Sequence, residues 1–351
     1  MQRASSVWLL AIFLTACAGS PGGAGQTAYY VYRLDPSAIV ELSTDYEPVR
    51  EIPISMPAGC TLNNIFAPPL GATLAIELNC SFGQSVVWLN TDTGELKQPV
   101  TDSDSHFLAW EADGTAVYLK IDSINHPRII RAALTGEQEI IPITELTYDL
   151  APDTNNGDFM FSFSRGMGLG SEMVLAESEG RLVHQIIADP NSYLSFARWS
   201  PDGKKVAFIK IPDSSTPFTV GELWVMDADG ANAHRLAEAD AGHGFAAAWS
   251  PEGRQIAFVA RENPNDVLAD QSADALQSNI YIADVQDGTT RPLTNFQNAR
   301  TETPVWSPDG NKVAFTVVMN DKMYAYTADM ASGKSTQLYT EGICCPVWIR
   351  K

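Results

Sequence analysis

Histidine and positive charge are both scarce in this chain, and so is any extended apolar run. Only 5 of 351 residues are histidine, and 23 lysines and arginines face 42 aspartates and glutamates, for a net charge of −19. So acidic a surface repels nucleic-acid phosphates and anionic lipid head groups, which excludes nucleic acid as a partner. The longest apolar stretch, Val7 to Leu14, has eight residues, whereas a helix needs about 20 to cross a bilayer. The five histidines (His106, His126, His184, His234 and His243) never pair at metal-ligand spacing, and His-Glu-x-x-His is absent. A Gly-x-Ser-x-Gly elbow is missing too, which removes the nucleophile turn of an α/β-hydrolase. Helical periodicity is rare. From Tyr29 onward, short β-branched and aromatic runs alternate with Gly, Pro, Asp and Asn, so the fold class is all-β.

The first residues follow a different logic. Met1-Gln2-Arg3 is a short positive region, Val7–Leu14 an apolar core, and Leu14-Thr15-Ala16-Cys17 precedes a Gly-rich stretch to Gly25. The Leu-Thr-Ala-Cys run resembles the bacterial lipobox, in which the cysteine thiol takes a diacylglyceryl group and becomes the first residue of the mature protein. Residues 1–16 are therefore read as a lipoprotein signal peptide, 17–27 as lipidated Cys17 plus tether, and 28–351 as one folded unit. Two or more acyl chains give stable anchoring where one gives marginal binding. The expected address is the bacterial envelope outside the cytoplasmic membrane. Because Ala18 rather than Asp follows the cysteine, it is the outer membrane where one exists. Cleavage removes Arg3 and no acid, leaving 22 basic against 42 acidic residues, a net of −20.

Three segments are copies of one unit. They are Trp199-Ser-Pro201-Asp202-Gly203-Lys-Lys-Val-Ala-Phe, Trp249-Ser-Pro251-Glu-Gly253-Arg-Gln-Ile-Ala-Phe and Trp306-Ser-Pro308-Asp309-Gly310-Asn-Lys-Val-Ala-Phe. Proline presets φ at the second turn position, and Ser and Gly sit where a type I turn favours them. Each unit continues into a third strand ending in Asp227, Asp284 or Asp329, then a turn closed by Gly230, Gly288 or Gly333, then a fourth strand near Leu236, Leu293 or Leu338. Four short strands per repeat describe a propeller blade. Weaker copies start at Phe66, Trp110 and Leu150, and Pro346-Val347-Trp348 repeats Pro304-Val305-Trp306 before the chain stops. From 66 to 348 there are six steps, a mean of 47 residues each.

The seventh anchor begins a blade it cannot finish. Three runs before the first blade, Ala28–Leu34, Ala38–Leu42 and Val49–Ile54, supply the missing strands. The expectation is a seven-bladed propeller closed by a composite of both chain ends. Six blades would follow if the N-terminal strands only extended an existing blade.

The repeat resembles the WD40-like (PD40) units of the TolB-type propeller superfamily, strongly over 195–340 and fairly over 107–119. Unlike TolB, this chain is expected to lack an N-terminal α/β domain. Repeat type, acidity and the missing catalytic groups together point to a monomeric binding or protein-interaction ring whose partner is an envelope protein, peptide or glycan, with the membrane reached through lipid on Cys17; TolB's own envelope partners are not carried over. Prolyl-oligopeptidase-like enzymes and oligogalacturonate lyases share the repeat type, so the alternative is a propeller enzyme, a metal-dependent lyase or lactonase-like hydrolase, working in the central funnel. No catalytic residue and no metal ligand is assigned. Calcium or another divalent ion has no motif here, and Asp227-Ala-Asp229-Gly230 lacks the later ligands of a calcium loop.

Four cysteines, Cys60, Cys80, Cys344 and Cys345, fall on one face beside the seam. An exported location favours disulfides. Cys60–Cys80 with Cys344–Cys345 is preferred, although adjacent cysteines bond with strain, and two cross-seam bonds are the rival. Insertions at 211–221 and 261–278 lengthen the loops between second and third strands of adjacent blades, where binding often resides. Gly166-Met-Gly168-Leu-Gly170 reads as a loop and not a phosphate cradle, since it opens no helix.

Overall fold

The computed structural model describes residues 27–350, apart from 82, 101–103, 123–127, 144–146, 154–156, 165, 167, 178–181, 240–244 and 341. The expected signal peptide, Cys17, most of the tether, His126 and His243 lie outside the described residues.

Seven four-stranded antiparallel sheets form the described chain, each ordered from an inner to an outer strand, with one short 3-10 turn at Ala273–Ala275. The inner strands are Cys60–Phe66, Ser105–Trp110, Thr147–Pro152, Ser192–Trp199, Ala248–Trp249, Arg300–Trp306 and Ile343–Arg350. They head blades one to seven. Blade seven is the composite: Ile343–Arg350 pairs with Thr27–Arg33, which pairs with Ala38–Leu42 and then Pro48–Pro53. Thr27 lies opposite Arg350 and Arg33 opposite Ile343. The chain ends thus meet inside one sheet, and the six-bladed alternative falls.

The second strands read as continuous apolar runs because blades stack face to face and bury both sides. Seven cores result, one at each blade boundary. In Val-Ala-Phe, alternation sends adjacent side chains to opposite neighbours. Phe258 packs back onto Ala207 and Leu223 of blade four, while Ala257 packs forward with Val313 and Phe315 of blade six. Phe208 and Ala207 divide in the same way between blades three and five. Burying one such Phe stabilises by about 1.5–3 kcal/mol.

The motif tryptophans fasten these boundaries. The indole N–H of Trp110 donates to the Phe66 carbonyl (3.1 Å), Trp199 to Ala151 (2.9 Å), Trp249 to Arg198 (2.9 Å) and Trp306 to Ala248 (2.9 Å). Every acceptor belongs to the inner strand of the preceding blade. Trp348 instead stacks on Tyr29 within the composite blade, ring centroids 4.6 Å apart.

The motif turns explain their own sequence. Ser200 Oγ donates to Asp202 (2.7 Å) and accepts from Lys205 N–H (3.0 Å), and Gly203 N–H closes the turn onto the Ser200 carbonyl (2.8 Å). Gly203, Gly253 and Gly310 take φ of 68°, 71° and 73°, a region costly for other residues. Ser307 and Asp309 repeat the bond at 2.6 Å. These turns mark one side of the ring, the turn face. Inner strands begin on the other side, the loop face, where the insertions also lie.

Candidate functional site

On the ring axis, opening toward the loop face, is a cavity of about 800 Å³ lined by all seven blades. The inner strands wall it, and they are not regular. Pairing slips between Leu62 and Asn64, Phe107 and Ala109, Thr147 and Asp149, Ser195 and Arg198, and Glu302 and Val305, and opposite Tyr30 to Tyr32 in blade seven. Each slip is a β-bulge, which bends its strand and re-aims side chains. Phe196, Thr303 and Cys345, three residues before Trp199, Trp306 and Trp348, sit at φ of 58°, 49° and 59°.

A bulge frees backbone N–H groups that burial would leave unpaired. A side chain from the preceding blade takes them. Glu77 accepts from Phe107 N–H (2.9 Å), Asp149 from Ala197 N–H (2.8 Å) and Thr316 Oγ1 from Cys345 N–H (3.0 Å).

The lining is mostly apolar, with Phe66, Phe107, Phe196 and Phe245 among its aromatic walls and three charged residues, Asp149, Arg198 and Glu302. Glu302 is occupied by Arg300 at 2.7 Å. Asp149 is 6% exposed, and its second oxygen, Oδ1, has no hydrogen-bond partner. Arg198 donates one bond, to the Ala197 carbonyl at 2.7 Å. Burial pushes the Asp149 carboxyl above its ordinary range, against the pull of the Arg198 charge and of the backbone N–H groups of Ala197, Phe196 and Ser162. Burial likewise lowers the Arg198 guanidinium, against Asp149. The two influence each other through space without forming an ion pair among the described residues.

The cysteines gather at the loop-face end of this cavity. Cys60 is bonded to Cys80, which faces it across the hairpin, and Cys344 to Cys345. Cys60, Cys344 and Cys345 line the wall.

His106 is the second residue of the inner strand of blade two, and its Nε2 lies 3.2 Å from both Asp104 Oδ1 and Asp122 Oδ2. Lys120 reaches Asp122 at 3.1 Å. The three ligand atoms are close enough to hold a cation, a grouping hidden in sequence because Asp122 arrives from the neighbouring strand.

The two insertions fold onto each other. Arg261, its side chain 1% exposed, bonds the Phe218 carbonyl (2.8 Å) and Asp270 (2.9 Å) and so joins the loop of blade four to that of blade five. In the glycine loop, Gly168 and Gly170 N–H groups donate to Asp213 at 2.7 and 3.2 Å, so these backbone donors hold a carboxylate of the chain itself. Asp227 is engaged by Lys205 (2.7 Å) and Asn232 (2.6 Å), as a turn residue.

Residues 203–345 match PD40, the TolB beta propeller domain family. No curated protein matches the chain. Among solved structures, TolB from Acinetobacter baumannii is 18% identical with a TM-score of 0.54, over 90% of this chain and 79% of that one. An oligogalacturonate lyase in complex with manganese is 15% identical with a TM-score of 0.58, over 89% and 85%. Oligogalacturonate lyase from Vibrio parahaemolyticus is 13% identical with a TM-score of 0.58, over 90% and 86%. Identities this low carry the fold and nothing finer. Residues 203–345 therefore bear TolB-type PD40 repeats, set within a seven-bladed ring that the described chain closes upon itself.

Proposed function

We propose that the chain is a lipid-anchored, extracytoplasmic propeller that binds rather than catalyses and takes a small ligand into its axial cavity. The observation that carries this reading is the cavity itself, about 800 Å³ with an apolar wall. That volume falls within the range of small-molecule sites, roughly 300–1,000 Å³. Its two acids already serve a backbone N–H and Arg300, so neither stands ready beside a nucleophile. The test is native mass spectrometry of the full chain purified from its own envelope in mild detergent. The expected result is a bound small molecule, absent from an Asn63→Trp variant that fills the cavity. A ring that arrives empty, or retains its cargo after filling, ends this reading. The same spectra read the anchor, since the N-terminal peptide should begin at diacylglyceryl-modified Cys17.

A metal-dependent propeller enzyme is the second reading. Asp104, His106 and Asp122 favour it, together with the shared fold of the manganese-bound lyase. Metal analysis separates the two: a stoichiometric divalent ion lost in His106→Ala, together with loss of a lyase or lactonase activity, would favour the enzyme.

A further inference from the structure

Arg198 occupies the position just before a motif tryptophan, where the other repeats place Ala109, Ala248, Val305 and Val347. In blade four this position borders the axial cavity. It lines the cavity with a guanidinium that makes one hydrogen bond, out of five available donors. On the inner strand of the neighbouring blade three, Asp149 is more than nine-tenths buried, and its Oδ1 makes no hydrogen bond of ordinary geometry. Two opposite charges in one cavity, unpaired with each other and each with unused hydrogen-bonding capacity, are costly to keep. Direct contact would be the usual remedy, but Asp149 is held back by the bulge N–H of Ala197 and Arg198 by the Ala197 carbonyl. Beside them stand Phe196 and Phe245, with Phe66 and Phe107 further round the wall.

We propose that the cavity binds a small zwitterion, a free α-amino acid with an apolar side chain. Its carboxylate meets Arg198, its ammonium faces Asp149 and its side chain rests against the phenylalanines. This rests on the binding function given above and names its ligand class. A lone carboxylate would leave Asp149 repelling it, and a lone amine would leave Arg198 doing the same. Only a ligand carrying both charges answers both groups. The guanidinium suits the carboxylate because its planar donors can engage both oxygens.

The test uses the full chain and three probes, L-phenylalanine, phenethylamine and 3-phenylpropionate, followed by calorimetric titration. Phenylalanine should bind about tenfold or more tighter than either single-charge analogue, the scale of one hydrogen bond to a charged group. Arg198→Gln should erase its advantage over phenethylamine, and Arg198→Lys should restore part of it. Asp149→Asn, which keeps an acceptor for Ala197 N–H, should erase the advantage over 3-phenylpropionate. The proposal is overturned by equal binding of the three probes to the wild type, or by variants that keep the wild-type ranking. It is also overturned if the ring ignores all three yet leaves the envelope carrying another molecule in its cavity, an outcome that spares the binding reading.

Discussion

At the scale of single residues, the motif is its own explanation. Ser200 and Ser307 each spend a hydroxyl on holding an aspartate, and the aspartate in turn caps the turn backbone. The serine bond is the main reason that Asp202 and Asp309 sit below the usual carboxylate range. A carboxyl whose pKa is depressed on folding stabilises above its unfolded pKa, about 3.9, and loses that contribution as pH falls through the folded value. Asp202 is 57% exposed, so solvent screens much of its share. The double variant Asp202→Asn, Asp309→Asn should therefore melt below the wild type at pH 7 by a small margin. The two melting curves should converge as pH drops below about 4. A gap that stays constant with pH would show that the turn bonds do not depend on ionisation.

At the scale of strands, the bulge is the feature that separates this inner wall from a plain ladder, and Thr316 offers a clean probe of it. Thr316→Val keeps the shape and leaves the buried Cys345 N–H without an acceptor, which costs about 1–3 kcal/mol. Urea denaturation measures it, and an unchanged midpoint would mean that Thr316 does not support the bulge. The strands themselves were plain in the sequence. Trp-Ser-Pro-Asp-Gly followed by Val-Ala-Phe states a turn and a strand in one line, and the runs at 28–34, 38–42 and 49–54 announced the composite blade within a residue or so of Thr27–Arg33, Ala38–Leu42 and Pro48–Pro53. The bulges were not legible. Phe196, Thr303 and Cys345 adopt left-handed backbone without being glycine, asparagine or aspartate, the residues that usually signal it. Nor could sequence place Asp149 near Arg198 or Asp122 near His106, because each pair is made by pairing between strands and blades. One sign was available: an arginine standing where the other repeats carry Ala or Val.

At the scale of the whole molecule, closure depends on a single sheet that joins the two chain ends. Blade seven draws three strands from residues 27–53 and its inner strand from 343–350; Val347 and Ile349 of that inner strand, with Tyr30 and Tyr32 of Thr27–Arg33, lie in the core shared with blade one. Removing Cys344–Lys351 takes away the inner strand, its boundary packing and one wall of the cavity. The truncated protein should melt well below the intact ring in one transition, as followed by calorimetry. Unaltered melting would show that closure adds nothing to stability.

The same sheet sets where the described chain begins on the ring. Thr27 pairs with Arg350, whose carbonyl accepts from Gly71 N–H and whose guanidinium reaches the Pro308 carbonyl of a Ser-Pro-Asp-Gly turn. The polypeptide therefore enters from the turn face. Cys17 and Thr27 are ten positions apart, a reach of at most about 35 Å when fully extended. Acyl chains on Cys17 would hold the turns toward the bilayer and leave the cavity mouth, with the joined insertions beside it, looking outward into the surrounding compartment. Molecules would then reach the axis from the aqueous side.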